Sequence, residues 1–255
     1  MKWVNELYEG DCVELMIRMP KDHVDLAITS PPYDDLRSYH NNLHVPTVAF
    51  CLHRVLKPGG IVVWVTGDKT HKGSETLSSF KHAIAFKEAG FNVHDTMIYA
   101  KENPIPMNHN RYEQVFEYMF VFAKGKPKTF NPIRTPITSP RPEQQDVHHT
   151  KNYQRGNKKR GHNTTKIKGN IWSYKVGLHC STKDVEAFQH PAIFPDQLAE
   201  DHILSWTEPG DLVLDPMCGS GTSCKMAVKH GRKYLGFDIE SRFVELARQR
   251  ILSVK

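Results

Sequence analysis

An α/β fold, a sheet covered by helices on both faces, is predicted by three observations. Short apolar runs rich in branched and aromatic residues alternate with stretches of helical period. Several helical stretches end at glycine, which accepts the left-handed conformation of a helix terminus. One segment, 124–175, has neither pattern and is strongly basic. Its thirteen Lys and Arg face only Glu143 and Asp146, whereas the rest of the chain carries 21 basic and 26 acidic residues.

In chain order, a helix is expected to begin near Cys12, followed by a strand at 24–29 and a helix at 47–56 closed by Lys57-Pro58-Gly59-Gly60. Next come a strand at 61–66, a helix at 76–89 closed by Gly90, and strands at 93–100 and 115–123. Beyond the basic segment the order is a helix at 196–206, a strand at 212–215, a helix at 222–229 closed by His230-Gly231, a strand at 233–237 and a helix at 241–251. Residues 1–123 and 176–255 therefore read as one α/β domain, with 124–175 inserted into it.

With 255 residues, 39% of them hydrophobic, the chain is large enough for one substantial core or for a catalytic domain with a small accessory one. Mean hydropathy is −0.53, and no apolar run approaches the ~18 residues of a membrane span. Met1-Lys2-Trp3-Val4-Asn5-Glu6 carries no apolar stretch of signal-peptide length, so a cytoplasmic protein is expected. The five cysteines, Cys12, Cys51, Cys180, Cys218 and Cys224, form no CxxC pair and are odd in number, so reduced thiols are expected. The adjacent pair His148-His149 lacks a partner at ligand spacing, and no metal is expected.

A net charge of +6 concentrated in one segment of an otherwise acidic chain points to a polyanionic partner, namely nucleic acid. Within it, Arg155, Lys158, Lys159 and Arg160 are the candidate phosphate contacts. A solvated loop, punctuated by Pro127, Pro132, Pro136, Pro140 and Pro142, would look similar.

Two motifs carry chemistry. The first, Leu212 to Thr222, is an apolar strand ending in Asp215, followed by Met217, Gly219 and Gly221 and then a helix. A P-loop would need a lysine after the glycine, and a dinucleotide fingerprint would need glycine where Cys224 stands. A nucleoside cofactor without phosphates remains. Asp238, at the end of the next strand, can accept hydrogen bonds from both ribose hydroxyls, and Asp215 can meet an ammonium; S-adenosylmethionine fits both. A tight turn with a surface acid is the plainer alternative.

The second motif is a strand reaching Thr29 and breaking at Ser30-Pro31-Pro32-Tyr33. An exocyclic amino group on a nucleobase is a poor nucleophile until acceptors draw on its protons. The Ser30 hydroxyl and the Pro31 carbonyl, its direction fixed by two prolines, can supply those acceptors. Tyr33 can stack on a base that has left the duplex. An ordinary Pro-Pro loop is the alternative.

In this order the motifs resemble those of the β group of DNA amino-methyltransferases, along nearly the whole chain. Thr29-Ser30-Pro31-Pro32-Tyr33 is similar to the catalytic motif, Asp215 to Thr222 to the cofactor loop, and Gly236-Phe237-Asp238 to the ribose-binding strand end. His190-Pro191-Ala192-Ile193-Phe194-Pro195 resembles the segment that wraps the methionine end. Tyr8-Glu9-Gly10-Asp11-Cys12 resembles the strand end whose acid approaches the adenine amino group, although Asp11 would serve equally as a helix cap. The resemblance implies a Rossmann-like methyltransferase sheet, mostly parallel with one antiparallel strand near the edge, a circularly permuted motif order, S-adenosylmethionine as cofactor and double-stranded DNA as substrate. Two departures stand out. Phe194 occupies a position where many members carry lysine, and the insertion is short.

No Pro-Cys pair exists for the covalent route to cytosine C5. In this family Ser-Pro-Pro-Tyr is associated with cytosine N4 and Asp-Pro-Pro-Tyr with adenine N6, so N4 is expected, with N6 the alternative. A non-catalytic DNA-binding module on the same scaffold is a more distant one. No endonuclease signature is present, so any restriction partner would be a separate chain.

Overall fold

The computed structural model describes residues 1–32, 43–104, 110–137 and 164–254. They form two compact units: 1–131 with 170–255, and Pro132–Gly169.

The larger unit is built on an eight-stranded sheet. Its elements are β1 (Glu6–Glu9), α1 (Cys12–Arg18), β2 (Val24–Thr29), α2 (Val45–Val55), β3 (Leu56–Thr66), the hairpin β4 (Thr70–His71) and β5 (Ser74–Glu75), α3 (Ser78–Glu88), β6 (Asn92–Lys101) and β7 (Phe116–Ala123). After the smaller unit, which holds the antiparallel pair β8 (Arg134–Pro136) and β9 (Thr165–Ile167), come β10 (Ile171–Tyr174), α4 (Asp196–Trp206), β11 (Leu212–Asp215), α5 (Thr222–Lys229), β12 (Lys233–Asp238) and α6 (Ser241–Leu252). The strand order is β1-β12-β11-β2-β3-β7-β6-β10. β7 alone runs antiparallel to its neighbours. The carboxyl ends of the other seven strands therefore lie along one edge of the sheet, where α/β folds bind ligands.

Helices α1, α2 and α3 pack on one another, as do α4, α5 and α6. Side-chain alternation separates the two faces. Leu212, Leu214, Leu235 and Phe237 join the core under α1 and α2, while Cys224, Val244, Ala247 and Ile251 pack on Leu7 in the core of α5 and α6. β2 is buried at every position, as a central strand covered on both faces must be. Its one acid, Asp25, is satisfied by Lys57 Nζ at 2.7 and 2.8 Å and by the Leu212 amide at 2.9 Å, so it pins three strands together.

Three local expectations are corrected. The helix expected at 47–56 starts at Val45, because Pro46 in a first turn forfeits no hydrogen bond. It also ends without a glycine: Leu56 is already extended and begins β3, and Gly59 (φ +82°) lies against Lys126 and Lys128. The helix expected from 76 starts at Ser78, where Asp68 accepts from the Ser79 amide (2.9 Å) and hydroxyl (2.5 Å), so a distant acid sets its start. The segment 124–175 is not wholly outside the sheet. β10 pairs with β6, and Phe130 stacks on Trp206, so the compact insertion is narrowed to Pro132–Gly169.

Candidate active site

β2 and β11 lie side by side, with Leu26 opposite Val213 and Ala27 opposite Leu214, so the two motifs, far apart in sequence, end next to each other. Beyond β2, Ser30 is half-buried, Pro31 buried and Pro32 exposed. Tyr33, Arg155, Lys158, Lys159 and Arg160 lie outside the described residues.

Asp215 is 1% exposed. Its Oδ2 accepts from Ser223 Oγ at 2.7 Å and its Oδ1 from the Met217 amide at 3.2 Å. Burial nevertheless pushes its pKa up to about 6, against the pull of Ser223, Thr29 and Met217. The fully buried Thr29 hydroxyl lies near enough to favour the carboxylate, yet makes no hydrogen bond of ordinary geometry. This pocket stabilises a negative charge incompletely and would gain from a cation.

Asp238 ends β12, and burial raises its pKa as well. One oxygen accepts from the Gly219 amide at 2.8 Å and the other from the Glu240 amide at 3.0 Å. Each oxygen keeps a lone pair for a hydroxyl donor. The Gly10 amide donates to the Asp238 carbonyl at 2.9 Å and brings Asp11 alongside. Asp11 caps α1, accepting through Oδ1 from Val13 (2.8 Å) and Glu14 (3.1 Å). Cys12 is a packing residue; burial and then Asp11 push its thiol up to about 12.

The glycines of the turn make room for neighbouring protein atoms. A Cβ on Gly219 (φ +49°) would lie 2.8 Å from His190 Nε2, and one on Gly221 (φ +78°) 2.6 Å from the Ala247 Cβ. Protein atoms fill both spaces. His190 covers Gly219, meets Phe243 edge-on at 4.3 Å and binds the Ala192 carbonyl through Nδ1 at 2.6 Å. Phe194 is half-buried just before α4, and Met217 packs at the margin of the core. Thr222 is buried, its hydroxyl accepting from Arg250 at 3.1 Å. Cys218 and Cys224 are buried neutral thiols, their pKa values pushed well up by burial.

Reading the sequence missed Ser223, and with it a cluster of the buried Arg250 with the half-buried Lys225, Asp184 and Asp196. The signal for Arg250 was present: an arginine within the apolar stripe of α6, beside Ala247 and Ile251.

Residues 24–249 match the family model described as DNA methylase, the N6/N4 methyltransferase model. The chain belongs to this N6/N4 DNA methylase family. The methylase is 50% identical over 253 residues to the orphan methyltransferase M.BamHII of Bacillus amyloliquefaciens, covering 95% of this chain and 90% of the relative. Among solved structures it is similar to the cytosine-N4-specific PvuII DNA methyltransferase, with a TM-score of 0.73, 22% identity, and coverage of 97% of this chain and 86% of that one. It is also similar to TTHA0409 of Thermus thermophilus, called a DNA modification methylase, with a TM-score of 0.66, 26% identity, and coverage of 98% and 96%. TTHA0409 has also been crystallised with S-adenosyl-L-methionine, the cofactor expected for this methylase.

Proposed function

We propose that this methylase transfers a methyl group from S-adenosylmethionine to the exocyclic amino group of a base flipped out of double-stranded DNA, cytosine N4 in preference to adenine N6. The observation that carries the reading is the pairing of β2 with β11, which sets Ser30 and Pro31 beside Asp215 at one sheet edge.

The residues present fit the cofactor. Asp238 offers two oxygens, each with one backbone donor already in place, to a pair of ribose hydroxyls. Asp215, buried and incompletely compensated, suits an ammonium, and no lysine of the turn invites a phosphate. Asp11 and Cys12 follow Gly10, whose amide binds the Asp238 carbonyl, Met217 and Gly219 belong to the turn, His190 covers Gly219, and Phe194 precedes α4. Bound there, S-adenosylmethionine would supply a methyl group activated by its sulfonium, with a neutral thioether as the leaving group. The Ser30 hydroxyl and Pro31 carbonyl accept hydrogen bonds from the amino group, Tyr33 stacks on the base, and the proton released from nitrogen passes along the Ser30 hydrogen bond to solvent water, which the half-buried serine can reach.

The choice of cytosine rests on serine at the head of the motif. Its test is mass spectrometry of hydrolysed DNA after incubation with enzyme and labelled cofactor. N4-methylcytosine is expected; N6-methyladenine would overturn the choice of base, and label absent from DNA would overturn the enzyme. The name of the 50% relative, an orphan methyltransferase, favours a chain that acts without a dedicated nuclease.

A further inference from the structure

We propose that Arg250 is a positioning residue for the methyl-donor site, joining the glycine turn to the 182–196 segment; the proposal rests on the reading of that site as one for S-adenosylmethionine. One wall is the turn between β11 and α5; the other is the 182–196 segment, which runs through a short 3-10 helix at Val185–Gln189 to the start of α4. The segment that holds His190 and Phe194 carries two acids, Asp184 and Asp196. The turn leads into α5 and packs on α6, which supply two cations, Lys225 and Arg250.

Arg250 is 2% exposed. Its Nη1 donates to the Ser220 carbonyl (2.5 Å), the Ser220 hydroxyl (3.0 Å) and the Thr222 hydroxyl (3.1 Å), all on the turn. The same guanidinium reaches the opposite wall, with Nε 3.2 Å from Asp184 Oδ2 and Nη2 3.4 Å from Asp196 Oδ1. Lys225 doubles the link, at 2.5 Å from Asp184 and 3.3 Å from Asp196, and Thr182 holds Asp196 at 2.8 Å. Burial alone would raise the pKa of Asp184; Lys225 and Arg250 outweigh it and hold the carboxyl ionised.

Three residues on one face of α6 thus back the site. Phe243 meets His190, Ala247 fills the space beside Gly221, and Arg250 ties turn to segment. A planar fork can serve both walls at once. A lysine, a point charge on a flexible stem, can satisfy only one. When the link is broken, His190 is no longer held against Gly219, and the cofactor must order the two walls itself as it binds.

The test compares R250K, which keeps the charge, and D184N, which removes its partner on the segment, with R248A on the exposed side of α6 as control. Calorimetric affinity for S-adenosylmethionine, KM and kcat for methyl transfer, and thermal unfolding are measured for each. In R250K and D184N, Kd and KM for the cofactor should rise about tenfold or more, while kcat at saturating cofactor falls less than about threefold. R248A should behave as wild type. A folded R250K or D184N with wild-type cofactor affinity, or a fall in kcat at unchanged KM, overturns the proposal. If R250K fails to fold, D184N decides it. Failure of the wild-type protein to bind S-adenosylmethionine is a separate result, and overturns the reading of the site along with the proposal.

Discussion

In the role proposed for it, Asp215 sets stability against function. Its pKa rises from 3.8 to about 6, so the folded chain holds a proton there that the unfolded chain releases. The contribution of that proton to folding is complete below pH 3.8 and is lost as pH rises through about 6. Near pH 8 the ionised, buried carboxylate therefore costs up to about 3 kcal/mol. Asp215→Asn should raise the unfolding temperature of the cofactor-free protein at pH 8 and abolish the binding of S-adenosylmethionine. In the wild type, calorimetric affinity for the cofactor should climb about tenfold per pH unit below pH 6 and level off above it, because only the carboxylate meets the ammonium. A flat profile between pH 5 and 7 would remove Asp215 from that role. The placement of three candidate residues was legible at this scale: Asp215 and Asp238 end their strands and Ser30 follows β2, where the chain must turn and an acid or hydroxyl has no packing value. Ser223 was not, because its partner is chosen by helix packing that no local pattern encodes; for Arg250 the apolar stripe of α6 signalled burial but not the partners.

Between elements, the approach of α5 to α6 depends on one missing atom. Gly221 has φ +78°, and its absent Cβ would lie 2.6 Å from the Ala247 Cβ and 2.9 Å from its Cα. Gly221→Ala combines a left-handed backbone penalty of about 1–2 kcal/mol with overpacking of about 1–3 kcal/mol. Urea unfolding should show a loss of about 2–5 kcal/mol. Adding Ala247→Gly should recover part of the loss, since it removes the clash and leaves the backbone strain. Equal stability of the single and double variants would mean that φ alone makes the glycine necessary. Strands and helices with strong periodicity, β2, β11, α4 and α5, have the bounds read from sequence. Boundaries moved where a tertiary partner intervened, as at Asp68 capping α3. β10, four residues in a basic stretch, was missed because it is a strand by virtue of lying beside β6.

Across the whole molecule, charge is divided as function would require. Pro132–Gly169 carries nine Lys and Arg against two acids. If this unit supplies the phosphate contacts, replacing Arg155, Lys158, Lys159 and Arg160 by alanine should flatten the log–log salt dependence of duplex binding by about 3–4 units. Cofactor affinity should stay at the wild-type level. Titrating one duplex at four salt concentrations checks this, and identical slopes would locate the contacts elsewhere.

The order in which strands are joined also bears on how the protein is made. β1 precedes the other described strands in chain order, yet its neighbour in the sheet is β12, with Tyr234 and Asn5 bonded across 229 residues. β2 waits similarly for β11, 187 residues after Asp25. Until β11 and β12 are synthesised, β1 lacks its sheet neighbour among the described strands, and the β11-facing edge of β2, a strand destined for full burial, stays open. Such contacts close slowly and leave strand edges available to other chains. A product that stops before β11 thus lacks the glycine turn and also leaves the edge of β2 open to other chains.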